Sequence, residues 1–145
     1  MVFAFGGNRR PRPEHHGMDR GLALLLALAI GALVAAVAEM SASRVGALIV
    51  LAKAAPLDDI TSSGVILEAR VSAALLGSIF YEGNPLHDGA VVIRGDKIVA
   101  AACRLPLSDS PRLASNLHMR HRAAVGVTEQ RDALAVVVRE QRGSI

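Results

Sequence analysis

Between Arg44 and Lys53 the sequence runs Val45-Gly46-Ala47-Leu48-Ile49-Val50-Leu51 with no charge and no break in its apolar character. A strand with one wet face alternates apolar and polar residues, whereas a strand covered on both faces reads as a continuous run. The segment therefore predicts a strand inside a layered domain, and valine-rich Ala133 to Val138 predicts a second. Ala90 to Ile93 and Ile98 to Cys103 predict an antiparallel pair, because Gly95-Asp96 between them suits a tight hairpin turn. The covering layers must be helical. Leu67 to Tyr81 carries Val71, Leu75 and Ile79 at helical spacing until Gly83-Asn84-Pro85 stops it, and a further helix is expected over about Leu117 to Gln130. Hydrophobic residues make up 52% of the chain and aromatics only 3%, with no Trp. Such a core is built from close-packed Ala, Val, Leu and Ile, in buried strands and Ala-rich helices. A length of 145 residues allows one domain with one site.

The N-terminal forty residues are of a different kind. Met1 to Arg20 mix Gly6, Gly7, Pro11 and Pro13 with arginines and show no periodicity, which predicts a disordered arm. Arg9, Arg10, Arg12 and Arg20 account for most of the formal charge of +3, so the rest is near balance and no nucleic-acid footprint is expected. Leu22 to Ala38 is uncharged and at the lower edge of what spans a bilayer. Three readings stand: a membrane span with the arginines in the cytoplasm and everything after Glu39 outside, a signal peptide cleaved near Ala38 to Ser43, or an Ala-rich helix buried against the sheet. The last is preferred for Ala32 to Ser43, with Leu22 to Ile30 an extension of it or a vestigial membrane-associated piece. The expected division is a basic arm over 1–20, an apolar segment over 21–31 and the folded domain over 32–145. Cys103 is the only cysteine, which excludes a disulfide framework and a Cys-based zinc site and suits a reducing cytosolic setting.

Two clusters can carry chemistry. In Pro85-Leu86-His87-Asp88-Gly89-Ala90 an imidazole and a carboxylate stand side by side at the mouth of a strand, where both can reach one cation. Gly89 and Ala90 leave room for a ligand against the backbone. A plain Asp-Gly turn with an idle histidine has the same sequence. Arg120, His121 and Arg122 fall in the first turn of the last helix, with Ser115 or Asn116 as candidate caps. Cations there oppose the helix dipole and call for an anion, for which phosphate is the natural choice, although a solvated basic end is the alternative. Glu140, after the last strand, is a further metal or ligand contact or a surface charge. An acid in one cluster and bases in the other suggest a metal-nucleotide site.

Leu86-His87-Asp88-Gly89-Ala90 followed by Arg120-His121-Arg122-Ala123-Ala124 resembles the paired signature motifs of the bacterial diadenylate cyclase domain. The likeness extends through Arg44 to Val50, Ala100 to Cys103, Leu105 to Ser108 and Asp132 to Leu134, covers roughly Ala32 to Ile145, and is nearest the membrane-associated class. It implies an α/β domain with a mixed central sheet flanked by helices, a face-to-face homodimer with one ATP in each half, and a divalent ion, Mg²⁺ or Mn²⁺. It further implies that Asp88 promotes attack of a ribose 3′-hydroxyl on the facing α-phosphate, that Arg120, His121 and Arg122 bind phosphate, and that His87 with Asp88 holds the metal. Gly89, Ala90, Arg104, Leu105, Met119 and Glu140 complete the implied ATP site. The implied place is the cytoplasm, at the inner face of the membrane if 22–38 meets lipid. The chain departs from the pattern in having His118-Met119 where Gly-Thr is usual, Arg104 where an aromatic residue often lies on adenine, and Arg139-Glu140-Gln141 where Ser-Glu-Glu is common. It also lacks the multi-helix membrane region of that class, and its C-terminal end is short. These departures sustain a second reading, a catalytically weak nucleotide-binding homologue that pairs with an active cyclase, and a third, a small membrane-anchored interaction protein.

Overall fold

The computed structural model describes residues 1–7 and 19–140; Arg9, Arg10, Arg12 and the last five residues lie outside the described residues. The continuous runs become β2 (Ala47–Ala52), β4 (Ala90–Arg94), β5 (Lys97–Cys103) and β6 (Ala133–Val138), which with β1 (Val2–Gly6) and β3 (Val65–Arg70) form one six-stranded sheet in the order β1-β6-β2-β4-β5-β3. β2 and β4 are parallel, and every other neighbouring pair is antiparallel, so the sheet is mixed as expected. The two central strands are the most continuously apolar, because both of their faces are covered. Ala47, Ile49, Val91, Ile93 and Ile98 pack under α1 (Arg20–Ala42) and α3 (Ala73–Phe80). Leu48, Val50, Val92, Ala100 and Val137 pack on the opposite face with α2 (Asp58–Thr61) and α4 (Met119–Gln130).

The first residues of the expected arm form a strand, and 8–18 lie outside the described residues. Val2–Gly6 pairs with β6 in register, Phe3 opposite Val137, and turns Phe3 and Phe5 inward against the α4 side of the sheet while Val2, Ala4 and Gly6 stay exposed. The helix expected over Leu67 to Tyr81 is a strand followed by a shorter helix: Val65–Arg70 forms the edge strand β3, and α3 begins at Ala73, with the Ser72 hydroxyl accepting from the Leu75 N–H at 3.1 Å. The loop read over Ala54 to Gly64 contains the single turn α2.

α1 is one unbroken helix of 23 residues that joins the two halves the sequence left apart. A single stripe, Ala29, Leu33, Ala36 and Met40, is buried against the sheet and α3. The helix ends in a Schellman motif: the Val45 N–H reaches the Met40 carbonyl at 2.8 Å and the Arg44 N–H reaches Ser41 at 3.3 Å. Arg44 takes the left-handed position there (φ 58°), where glycine is usual. The chain thus turns directly from α1 into β2, which fixes the C-terminal end of α1 beside the N-terminal end of β2.

Candidate functional site

The sheet gathers the two motifs at one of its ends. Ile49 pairs with Val91 in the parallel β2/β4 register, so the entrances of the two strands, preceded by Gly46 and by Asp88, lie at the same end of the sheet. On one side of this pair β6 runs antiparallel to β2, with Val138 opposite Ala47, and delivers Arg139 and Glu140 to the same end. On the other side Cys103 pairs with Ala90 and delivers Arg104. His87, Asp88, Arg104 and Glu140 therefore share one rim because of strand direction alone.

Arg120 closes the gap between the rim and α4. Its guanidinium lies directly over Gly46, where a Cβ would overlap Nη1 and Cζ, and its Nη1 is 3.7 Å from Glu140 Oε2. Strands are spaced about 4.8 Å apart, so Arg120, above the entrance of β2, lies over the strand next to the one that Asp88 precedes. Arg120, His121 and Arg122 occupy the first turn of α4 as expected, but the expected caps do not serve: His118 is the N-cap and gives no side-chain hydrogen bond. The Arg120 guanidinium and the N-terminal end of that helix, where free N–H groups gather, thus lie at the same end of the domain, the arrangement an anion site uses. Arg122 is half-buried, and its carbonyl accepts from the Ser108 N–H at 3.0 Å, tying α4 to the Leu105-Pro106-Leu107-Ser108 strap. The strap lies so close on the helix that Gly126 has no room for a Cβ beneath Pro106. The Ser108 hydroxyl, buried, donates to Glu129 Oε1 at 2.9 Å.

His121 turns into the interior of the domain. It is only 4% exposed, its Nδ1 is buried with no hydrogen-bond partner, and its ring meets Phe3 edge-on at 5.0 Å. Burial, with smaller contributions from the nearby His118, Arg139 and Arg120 charges, pushes its pKa below the usual histidine value. It is a neutral side chain at neutral pH.

The first motif is held by a residue the sequence reading used only as a helix stop. Asn84 accepts from the Leu86 N–H at 2.9 Å through its side chain, donates to the Ser78 carbonyl at 2.9 Å, and offers its own carbonyl to His87 Nδ1 at 2.7 Å. A carbonyl oxygen can only accept, so the neutral His87 ring carries its proton on Nδ1 and leaves the Nε2 lone pair available. Metal-binding histidines are commonly fixed in this way. Asp88 is exposed beside it. Gly89 adopts φ +104° and a Cβ there would lie 2.8 Å from the Ala102 and Cys103 backbone. The sequence reading gave Gly89 to ligand approach; the crowding comes from β5. Ala90 is fully buried in the sheet and takes no part in the rim surface.

Arg104 is exposed, with its N–H held by the Ser63 hydroxyl at 2.9 Å, and Leu105 packs on the α4 side of the core. Met119 is 66% exposed at the start of α4. Cys103, beneath Gly64, has its thiol pushed up to about 11 by burial and is inert there. Among the described residues no three His, Cys, Asp or Glu side chains gather to hold a metal ion. His87 and Asp88 are two donors, which suits Mg²⁺ or Mn²⁺ completed by substrate phosphates, since such ions are usually bound through few protein ligands. Gly46, Phe3, Asn84 and Ser63 are the supporting residues that sequence reasoning missed.

Residues 34–145 match the DAC family model, described as DisA bacterial checkpoint controller nucleotide-binding. The chain is 40% identical over 144 residues to a diadenylate cyclase of Listeria monocytogenes, an alignment covering 99% of this chain and 48% of that protein. It is 43% identical over 116 residues to the cyclic di-AMP synthase CdaA of Bacillus subtilis, covering 80% of this chain and 42% of that one. The chain thus spans about half the length of these curated relatives. Among solved structures, DacA from Staphylococcus aureus superposes with a TM-score of 0.76 at 43% identity, covering 84% of this chain and 79% of that one. A hypothetical membrane spanning protein from Bacillus cereus gives 0.75 at 45% identity, with coverage of 77% and 55%.

Proposed function

The chain belongs to the diadenylate cyclase (DAC) family, and from that premise we propose that it condenses two ATP into cyclic di-AMP and two pyrophosphates. The observation that carries the reading is the shared rim: Asp88 and Gly46, on which the Arg120 guanidinium rests, precede neighbouring parallel strands at one end of the sheet. This supports a reading in which an acid suited to a sugar hydroxyl and a cation suited to a phosphate act from neighbouring strands.

In each of two equivalent steps a ribose 3′-hydroxyl loses its proton, its oxygen bonds to the α-phosphorus of the facing ATP, and the bond from that phosphorus to the pyrophosphate oxygen breaks. Asp88 is the group that accepts or directs the proton. Arg120 and Arg122, with the first N–H groups of α4, hold phosphate oxygens and stabilise the charge that grows on the leaving pyrophosphate. Arg104 and Leu105 line the base, and the Arg104 guanidinium can stack where an aromatic ring is absent. Glu140 steadies Arg120 and is a further candidate ligand contact. A divalent ion, Mg²⁺ or Mn²⁺, would be held by His87 Nε2 and Asp88 and would lower the pKa of the attacking hydroxyl. Each domain offers one such rim, so cyclisation of two ATP needs two domains facing each other about a two-fold axis. The same place in a cell follows from the substrate: the rim must meet cytoplasmic ATP.

A weak, regulatory homologue is the second reading, and one feature favours it. Met119, exposed at the first position of α4, brings no hydroxyl to the helix N-terminus, and His118 caps it without a side-chain bond. Incubation with ATP and Mg²⁺ or Mn²⁺, followed by chromatography for cyclic di-AMP, separates the two. Product from the wild type and none from Asp88→Asn, with ATP affinity held within a few fold, supports the cyclase, because an amide keeps the shape but neither accepts a proton nor binds a cation as well. ATP bound without product in the wild type would establish the weak homologue.

A further inference from the structure

Arg122, Gly126 and Glu129 stand at i, i+4 and i+7 on α4 and so share one face of the helix. The strap Leu105-Pro106-Leu107-Ser108 runs along that face. The Ser108 N–H donates to the Arg122 carbonyl at 3.0 Å, Pro106 covers Gly126 so closely that a Cβ would meet its carbonyl, and the Ser108 hydroxyl donates to Glu129 Oε1 at 2.9 Å. Helical side chains lean toward the N-terminus, so Glu129, in the last turn, reaches back to a residue that also holds the first turn. The Ser110 N–H donates in turn to the Ser108 hydroxyl at 3.2 Å, so that oxygen both donates and accepts. Glu129 is otherwise out of place. A carboxylate in the last turn of a helix meets the negative end of its dipole, and Glu129 is exposed and forms no ion pair among the described residues. Its carboxylate is instead tied to the buried Ser108 hydroxyl.

We propose that Ser108 and Glu129 are positioning residues that set the span between the two halves of the nucleotide site. The strap leaves β5 at Arg104 and Leu105, the residues proposed to line the base, and the Arg104 N–H is tied to the Ser63 hydroxyl at 2.9 Å. It ends at Ser108, which grips the helix that carries Arg120 and Arg122, the residues proposed for phosphate. Only Leu105, Pro106 and Leu107 lie between Arg104 and Ser108, and the fixed φ of the proline leaves little slack. Glu129 is seven residues beyond Arg122, about 10 Å along the helix, so its effect on a ligand passes through the strap. A ligand held at both ends gains over its separate parts only where the two half-sites stand at the matching distance. The inference rests on the proposed ATP site.

The test compares ATP with its two parts, adenosine and tripolyphosphate, on the full chain with Mg²⁺. Calorimetry reads ATP, and NMR titration reads the weaker parts. Glu129→Ala should weaken ATP binding about tenfold, the low end for a lost hydrogen bond to a charged group, while each part binds as it does to the wild type. Glu129→Gln keeps an acceptor oxygen for Ser108 and should stay within about twofold of the wild type. Ser108→Ala should match Glu129→Ala, and the double variant should lose no more than either. A pair that served folding alone would lower the melting temperature and leave the ATP affinity of the folded protein unchanged, which overturns the proposal. Equal losses on ATP and tripolyphosphate overturn it too, as does a Glu129→Gln variant as weak as Glu129→Ala, which would make the charge the cause. If Ser108→Ala does not fold, the two Glu129 variants, at an exposed position, decide alone. A wild type that binds no ATP overturns this inference together with the cyclase reading, whereas ATP bound alike by the wild type and Glu129→Ala overturns this inference only.

Discussion

Gly46→Ala is the substitution that most directly tests how the rim is assembled. The residue touches no ligand in the proposed mechanism, and its backbone is not in the left-handed region, so alanine is sterically admissible in the main chain. The added Cβ would instead overlap the Arg120 guanidinium, the far end of a flexible side chain, which must move away. Its remaining anchor is the 3.7 Å pairing with Glu140, and both side chains are 34% exposed, so that pairing holds it weakly. The fold should survive and the phosphate contact should not. Losing one charge-assisted contact costs about 1.5–3 kcal/mol, or roughly a 10- to 150-fold weaker Kd. Calorimetry with ATP on the wild type, Gly46→Ala, Arg120→Ala and the double variant reads this as a cycle. The double variant should bind no more weakly than Arg120→Ala alone, because Gly46→Ala acts only through that side chain. Wild-type affinity in Gly46→Ala, or additive losses in the double variant, would refute the arrangement.

The remaining expectations are shorter. His121 has a folded pKa below its unfolded value, so as pH falls through about 6.5 the unfolded chain takes up the proton first; stability is level above that pH and declines below it, by at most about 1.4 kcal/mol per pH unit. Denaturant melts across that window should show a shallower decline in His121→Asn, and equal slopes would mean that His121 is not the titrating group. If two domains face each other to join two ATP, specific activity should rise with protein concentration until the dimer saturates; a flat profile down to concentrations where light scattering sees only monomer would exclude that geometry.

The interior of the sheet was legible because covered strands leave an unbroken apolar signature, and β2, β4, β5 and β6 lie within a residue or two of where the sequence set them. The edges were not. In β3 the residue Glu68 sits at φ 48° in a bulge between Ile66 and Ala69, so the inward and outward alternation slips by one and the strand merges with the helical spacing of Val71, Leu75 and Ile79. β1 lies beside Gly7 and close to a run of arginines and prolines, which masks five residues whose only pattern is two inward phenylalanines. Edge strands are specified by what they pair with, and that partner, β6, is some 130 positions away in sequence.

The candidate site divides along the same line. Residues that carry charge or a ring nitrogen, Asp88, His87, Arg120 and Arg122, announce themselves by type and spacing. Those that hold them do not, because their contribution lies in what they lack or in a backbone group they offer: Gly46 by having no Cβ, Asn84 by turning its carbonyl to His87. Phe3 shows the cost of reading segments separately. Assigned to an arm, it had no connection to catalysis; paired opposite Val137, it supplies an edge-on ring contact to the buried His121. Its removal would open the pocket around a neutral imidazole to water, which relaxes the very burial that lowers the His121 pKa. The N-terminal strand is thus coupled to the electrostatics of the turn proposed to bind phosphate, a link that exists in the sheet and nowhere in the linear sequence.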